Sequence, residues 1–284
     1  MSRVIPYYEY STGEDWSRFY TGLISGKSES IAKWLLEDSR INWLIHPQSI
    51  KTFNRVEREG AELFNIRRAG AFFDVKHISK KPSDARYEQW LEKLIVRERL
   101  RLDMVGDIVT CEVPFNSMQG GQNKGRIDLV SVSPDHSTIY LLELKKWESH
   151  EPLVRCLIEV YTYFRSISKE SLPRFCEEFV GSKSAKIVLC PMIFDDSLAA
   201  NELNEKGASY AAVEKIIDEN MEHLIGGGCS HIAYQVICRN DPVISKLVSE
   251  AIVKAEVAAN RREAADVLAY QDKLPVCDGV CDGV

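Results

Sequence analysis

The sequence predicts an α/β fold, a mixed sheet flanked by helices. Three features point to it. Apolar spacing switches between helical and strand period along residues 84–195, in the order helix, three strands, helix, strand. Two strand-like runs, 125–133 and 138–147, are joined by Pro134-Asp135-His136-Ser137, a turn sequence that makes them a β-hairpin. The apolar stretch that follows has helix length and leads into another strand, an interleaving that belongs to α/β chains.

Each element has its own signal. Residues 1–83 read as a mixed, partly helical extension or subdomain. Within it, SESIAKWLLED spaces Ile31, Trp34, Leu35 and Leu36 for a helix, with Ser28 and Ser30 as candidate caps. Asp84 is placed to cap a helix running to about residue 101, with Trp90, Leu91, Leu94, Ile95 and Leu102 on its apolar side. VTCEVPF (109–115) alternates as a strand, and the glycine-rich loop NSMQGGQNKG separates it from the hairpin. Residues 152–167 form an apolar helix with Pro152 in its first turn. KIVLCPMIF (186–194) is a buried strand, 197–225 is helical up to the glycines 226–228, and HIAYQVICR (231–239) is a further strand. A long C-terminal helix begins at Asp241. The expected division is 1–83 extension, 84–265 α/β core and 266–284 flexible tail.

Composition narrows the function classes. The 284 residues (32.2 kDa) are 45% apolar and 27% charged, which excludes disorder as the main state. No apolar run approaches the ~18 residues of a membrane span, and the first residues carry no apolar leader. A soluble, cytoplasmic protein without a membrane partner is expected. The net charge of -6 excludes a uniformly basic nucleic-acid binder, so contact with phosphates needs a local patch or a bound cation. Six of the eight cysteines lie in apolar runs, as buried thiols do. Cys277 and Cys281 lack a second ligand pair nearby and read as part of a loose terminus rather than half of a zinc site. Gly26-Lys27-Ser28 ends like a phosphate loop, but Thr21 stands where such a loop needs glycine.

The hairpin carries the chemistry. With Ser133 opposite Thr138, Asp128 falls opposite Glu143, Arg126 opposite Lys145, Val130 opposite Leu141 and Val132 opposite Ile139, all projecting from one face. Ile127, Leu129, Leu142 and Leu144 take the other face. Two facing carboxylates on a largely apolar surface repel each other and resist burial. A divalent cation between them removes both problems, and an all-oxygen site with room for water suits Mg²⁺ or Mn²⁺. Lys145 lies on the same face, placed to orient or deprotonate a water or to neutralise charge at a phosphoryl group.

Gly125-Arg126-Ile127-Asp128, a hairpin, then Glu143-Leu144-Lys145 resembles the PD-(D/E)XK nuclease superfamily, the restriction-endonuclease-like fold. The likeness covers about residues 84–195 and implies an αβββαβ core. It implies a metal-dependent nuclease hydrolysing phosphodiester bonds in DNA or RNA, with Asp128, Glu143 and the Leu144 backbone carbonyl as metal ligands and Lys145 as catalytic lysine. A further acid from the first core helix is expected; Glu92 is the first choice and Glu88 the second. Ile127 stands where many members have proline, and Arg155 and Cys156 occupy the region where many place a glutamine. Lys124, Arg126 and Lys146 are candidate contacts to nucleic acid, DNA in the first place. Lys93, Arg97, Arg99 and Arg101 suit a helix C-terminus instead, and Glu112 reads as structural. Homodimerisation through the N-terminal region or the C-terminal helix fits the resemblance. The alternative is a catalytically inactive protein of the same fold, acting as a nucleic-acid-binding or assembly module.

Overall fold

The structure, a computed structural model, describes residues 26–37, 41, 87–114, 126–165, 167, 172–228 and 230–249. Its elements are α1 (Ser28–Leu36), α2 (Tyr87–Arg97), β1 (Arg101–Leu102), β2 (Gly106–Pro114), β3 (Arg126–Val132), β4 (Thr138–Leu144), α3 (Leu153–Arg165), α4 (Leu172–Val180), β5 (Lys186–Phe194), α5 (Leu198–Asn204), α6 (Ala208–Ile225) and β6 (Gln235–Ile237), followed by α7, residues 242–249. The architecture is α/β. Six strands form one mixed sheet in the order β1-β2-β3-β4-β5-β6. The first four are antiparallel, while β4–β5 and β5–β6 are parallel. The parallel step follows from sequence order, because α3 and α4 fill the crossover that two parallel strands require.

The sheet is buried on both faces. On one side α2 lays Leu91, Leu94 and Ile95 against Leu129, Leu142, Leu144 and Met192. On the other, α3 and α6 pack over Val130, Ile139, Leu141 and Leu189. Helix α1 places Ile31, Ala32 and Leu35 in this second cluster, so that part of residues 1–83 is built into the core. Glu202 ties α1 to α3 by accepting from the Ser28 and Leu153 amides at 2.8 and 2.9 Å.

Several sequence expectations are corrected. Helix α2 ends at Arg97, not near 101. Arg99 takes φ 51°, and the Leu100 amide reaches back to the Ile95 carbonyl at 3.0 Å, closing the helix and turning the chain into β1. Leu102 is therefore a strand residue. The stretch 197–225 is two helices, divided at Glu205–Gly207, with the Ser197 hydroxyl capping α5 at 3.2 Å. Ser28 lies inside α1 rather than capping it; the cap position is Lys27. Pro152 precedes α3 and supplies the carbonyl for the Arg155 amide. Helix α4 carried no assignment in the sequence. Of 231–239 only 235–237 is strand, with an isolated bridge from Ile232 to Leu189. Cys111, Cys156, Cys176 and Cys190 are buried free thiols, whereas Cys238 is exposed. Asp84, the glycine-rich loop, Cys277, Cys281 and the C-terminal helix beyond 249 lie outside the described residues.

Gly106 shows how tightly β2 and β3 are seated. It has φ 77°, and a Cβ there would collide with the Val132 carbonyl oxygen. Gly106→Ala is expected to lower stability by more than ~1 kcal/mol in urea unfolding.

Candidate functional site

The β3–β4 ladder pairs Leu129 with Leu142, Val130 with Leu141, Ser131 with Tyr140 and Val132 with Ile139, the register deduced from the turn. The ladder stops there, so the expected pairs Asp128–Glu143 and Arg126–Lys145 are not formed as strand partners. At the next position the Asp128 carboxylate, through Oδ2, accepts the Leu144 amide at 3.1 Å, so a side chain takes the place of a backbone partner. Strand β2 breaks its pattern at the same level. Glu112 has φ 51°, and beyond it Val113 and its partner Ile127 pack on the α3 side, although Cys111 and its partner Leu129 pack on the α2 side. Ile127 therefore does not share a face with Leu129, as alternation predicted. The chain turns over at Glu112 and Asp128, which opens that end of the sheet to side chains from both helix layers.

Four sequence-predicted residues are buried there. Glu92 is 1% exposed, Glu143 3%, Lys145 5% and Asp128 8%. Burial and the Asp128 charge push Glu92 up to about 9, against the pull of Arg126. Burial raises Asp128 to about 6, although Lys145, the Leu144 amide and Arg126 oppose it. Burial and Asp128 hold Glu143 well above the usual carboxylate range. Glu92 Oε2 and Glu143 Oε2 are shut off from water; Glu92 Oε2 has no hydrogen-bond partner among the described residues, while the Glu143 carboxyl shares hydrogen bonds with Glu159 and Tyr163. Buried acids in such surroundings favour either a proton or a cation.

Lys145 is the counterweight. Its Nζ lies 2.6 Å from Glu143 Oε1, 2.8 Å from Glu159 Oε2 and 3.0 Å from Glu151 Oε2. Burial alone would lower its affinity for a proton, but Glu143 and Glu159 outweigh that and hold it well above the ordinary lysine value. The ammonium is thus permanently charged at neutral pH. Burial opposes the charge on Glu159 too, yet the Lys145 and Arg155 charges and a hydrogen bond with the Glu143 carboxyl bring it down to about 2. Arg155 Nε completes the group, 3.0 Å from Glu159 Oε1 and 3.2 Å from Glu151 Oε2.

Sequence reasoning missed this second tier. It stopped at Arg155 and Cys156, whereas the polar residue that reaches the site is Glu159, one turn further along α3. Tyr163 follows one turn later, its phenol raised by burial and by Glu143. Residues 155, 159 and 163 form one stripe of α3, and Glu151 extends the line just before the helix starts. Charged residues on an otherwise apolar helix were the available signal.

Glu92 faces Asp128, and Arg126 Nη2 lies 4.0 Å from Glu92 Oε1. Glu88 turns to another task, accepting the Lys146 amide at 3.1 Å. Glu112 collects Arg126 at 2.6 Å, Lys93 at 3.1 Å and the Gln89 amide. Arg126 is therefore held by carboxylates, while Lys124 lies outside the described residues. Arg97 pairs with Glu98 at 2.7 Å, and Arg101 faces Asp107 at 3.8 Å across β1 and β2.

No group of three or more His, Cys, Asp or Glu side chains among the described residues is arranged to hold a metal ion. No helix among them is long and apolar enough to cross a membrane. Comparison with protein-family models, curated proteins and solved structures returned no match.

Two outcomes follow from the charges. Lys145→Met strands Glu159 and Glu151 beside a single arginine and is expected to cost about 3–5 kcal/mol, read by urea unfolding. Asp128 has a folded value of about 6 against an ordinary 3.8, so its ionised form opposes folding. That penalty is absent below the ordinary value, grows as pH rises to about 6 and is full above it. In EDTA, Asp128→Asn is expected to raise stability at pH 7 by about 2–3 kcal/mol and to change little at pH 3.5, followed by thermal unfolding across pH.

Proposed function

We propose that this chain is a divalent-metal-dependent nuclease of the PD-(D/E)XK type, hydrolysing phosphodiester bonds in nucleic acid, with DNA as the first candidate. The carrying observation is a pair of buried acids on adjacent strands, Asp128 and Glu143, whose charges bear on each other, with a buried ammonium 2.6 Å from Glu143 Oε1. The likeness of the order helix, three strands, helix, strand to that superfamily's core adds support.

The donor chemistry fits Mg²⁺ or Mn²⁺. Magnesium is commonly held by one or two carboxylates and keeps several waters, so it needs no closed cage of three acids. Asp128 and Glu143 would be its carboxylate ligands. A strand residue directs its N–H and C=O to the same edge, so the Leu144 amide at Asp128 argues for its carbonyl on that side too. The cation, when bound, lowers the pKa of a coordinated water and offsets the charge of the phosphodiester.

The chain's own groups do the remainder. Asp128 is fixed by the Leu144 amide, and Glu143 by Lys145. Lys145, whose charge is upheld by Glu143 and Glu159, acts as a hydrogen-bond donor and positive charge beside the reacting phosphoryl group. Glu92 supplies a third carboxyl from α2, held near Asp128. Water attacks phosphorus, the P–O bond to the leaving oxygen breaks, and that oxygen takes up a proton.

Asp128→Asn, Glu143→Gln and Lys145→Met are each expected to reduce Mg²⁺-dependent cleavage of single- and double-stranded DNA and RNA by on the order of 10²- to 10³-fold. Wild-type protein that cleaves none of these substrates in Mg²⁺ or Mn²⁺, but binds one of them equally well in EDTA, would support the inactive binding-module reading instead.

A further inference from the structure

We propose that Lys145 and Arg155 form an oxyanion subsite for a backbone phosphate of the substrate, and that Glu151 fills this subsite in the free protein and is displaced when substrate binds. The inference rests on the nuclease reading and names what sits beside the metal ligands before substrate arrives.

The argument starts from one oxygen. Glu151 Oε2 lies between two cations, 3.0 Å from Lys145 Nζ and 3.2 Å from Arg155 Nε. It is closed to water, yet no donor among the described residues reaches it in hydrogen-bond geometry. An anion bridging two cations without one well-directed hydrogen bond marks a place where negative charge is favoured and the occupant fits poorly. The two cations satisfy the other acids better. Lys145 Nζ donates to Glu159 Oε2 at 2.8 Å, and Arg155 Nε donates to Glu159 Oε1 at 3.0 Å.

The three acids around Lys145 also differ in how firmly they are held. Glu143 belongs to β4 and Glu159 to the middle of α3, both fixed by regular backbone. Glu151 lies before α3 and its side chain is 27% exposed, against 4% and 14% for the other two. It is the acid that can swing out at least cost. Among the described residues Arg155 uses only Nε in its hydrogen bonding, to Glu159 Oε1, so its Nη groups are not committed to a protein acceptor there. A phosphodiester brings two non-bridging oxygens with a shared negative charge. It can take the Lys145 position with one and the Arg155 position with the other, and Glu151 then moves to solvent.

The test is affinity for a short single- or double-stranded oligodeoxynucleotide, whichever the wild-type protein cleaves in Mg²⁺. Binding is measured in Ca²⁺ to suspend cleavage, at about 0.15 M salt so that distant charges are screened. Glu151→Gln and Glu151→Ala are expected to bind about tenfold more tightly and to lower KM in Mg²⁺ by a similar factor. Arg155→Met is expected to weaken binding, and Glu151→Gln on that background to recover little. Glu177→Gln removes one charge from the exposed face of α4 and is expected to leave affinity unchanged. Unchanged or weaker binding by both Glu151 variants, with unaltered thermal unfolding, overturns the subsite. An equal gain from Glu177→Gln overturns it too, because net charge then accounts for the effect. Wild-type protein that neither binds in Ca²⁺ nor cleaves in Mg²⁺ overturns the nuclease reading and the subsite with it.

Discussion

The buried ammonium of Lys145 is the contact on which the site depends. It is the cation closest to Glu143 and Glu159, and it shares Glu151 with Arg155. Without a positive charge at that point, the carboxylates of β4 and α3 could not be brought within 3 Å of a common centre, because like charges in a dry cleft cost several kcal/mol. The ammonium in turn stays charged only because those acids surround it. Neither half is stable there alone, so the group forms together or not at all.

That mutual dependence divides the acids into two sets. Glu159 is compensated by Lys145 and Arg155 and carries its charge at any pH the protein meets. Glu92, Asp128 and Glu143 are under-compensated and hold their protons more tightly than ordinary carboxylic acids. A fold optimised for stability alone would replace such acids with amides or apolar residues. Three such acids at one end of the sheet therefore cost stability in the metal-free protein.

The sequence made the central register legible because the turn 134–137 is short and polar, and side-chain alternation in a hairpin leaves little freedom. Strand β5 was legible to the residue because it is a continuous apolar run between charged or polar ends. What stayed hidden depends on events that periodicity does not encode. Arg99 and Glu112 adopt left-handed backbone although neither is glycine, and each redirects a strand or helix end. The change of face at Ile127 follows from the second of these, and no pattern of apolar residues announces it. Glu159 was hidden for a different reason. Its relation to Lys145 is set by how α3 lies across β4, a tertiary fact, and the sequence shows only that a charged stripe exists.

The break in the sheet explains why residues from both helix layers can meet. Helices α2 and α3 cover opposite faces, and a regular sheet would keep Glu92 and Glu159 apart, separated by the backbone of β3 and β4. Side chains can cross from one layer to the other only where the ladder ends. It ends one pair beyond Leu129 and Leu142, where Asp128 captures the Leu144 amide and β2 turns over at Glu112. Asp128 then feels Lys145 and Glu159 on one side, and on the other its charge reaches Glu92. The same hydrogen bond that fixes Asp128 also prevents continued pairing of β3 with β4, so the local loss of sheet structure and the assembly of the acidic cleft are one event. Asp128 is thus the acid that links the two layers, because its charge bears on Glu92 of α2 while Glu159 of α3 bears on it.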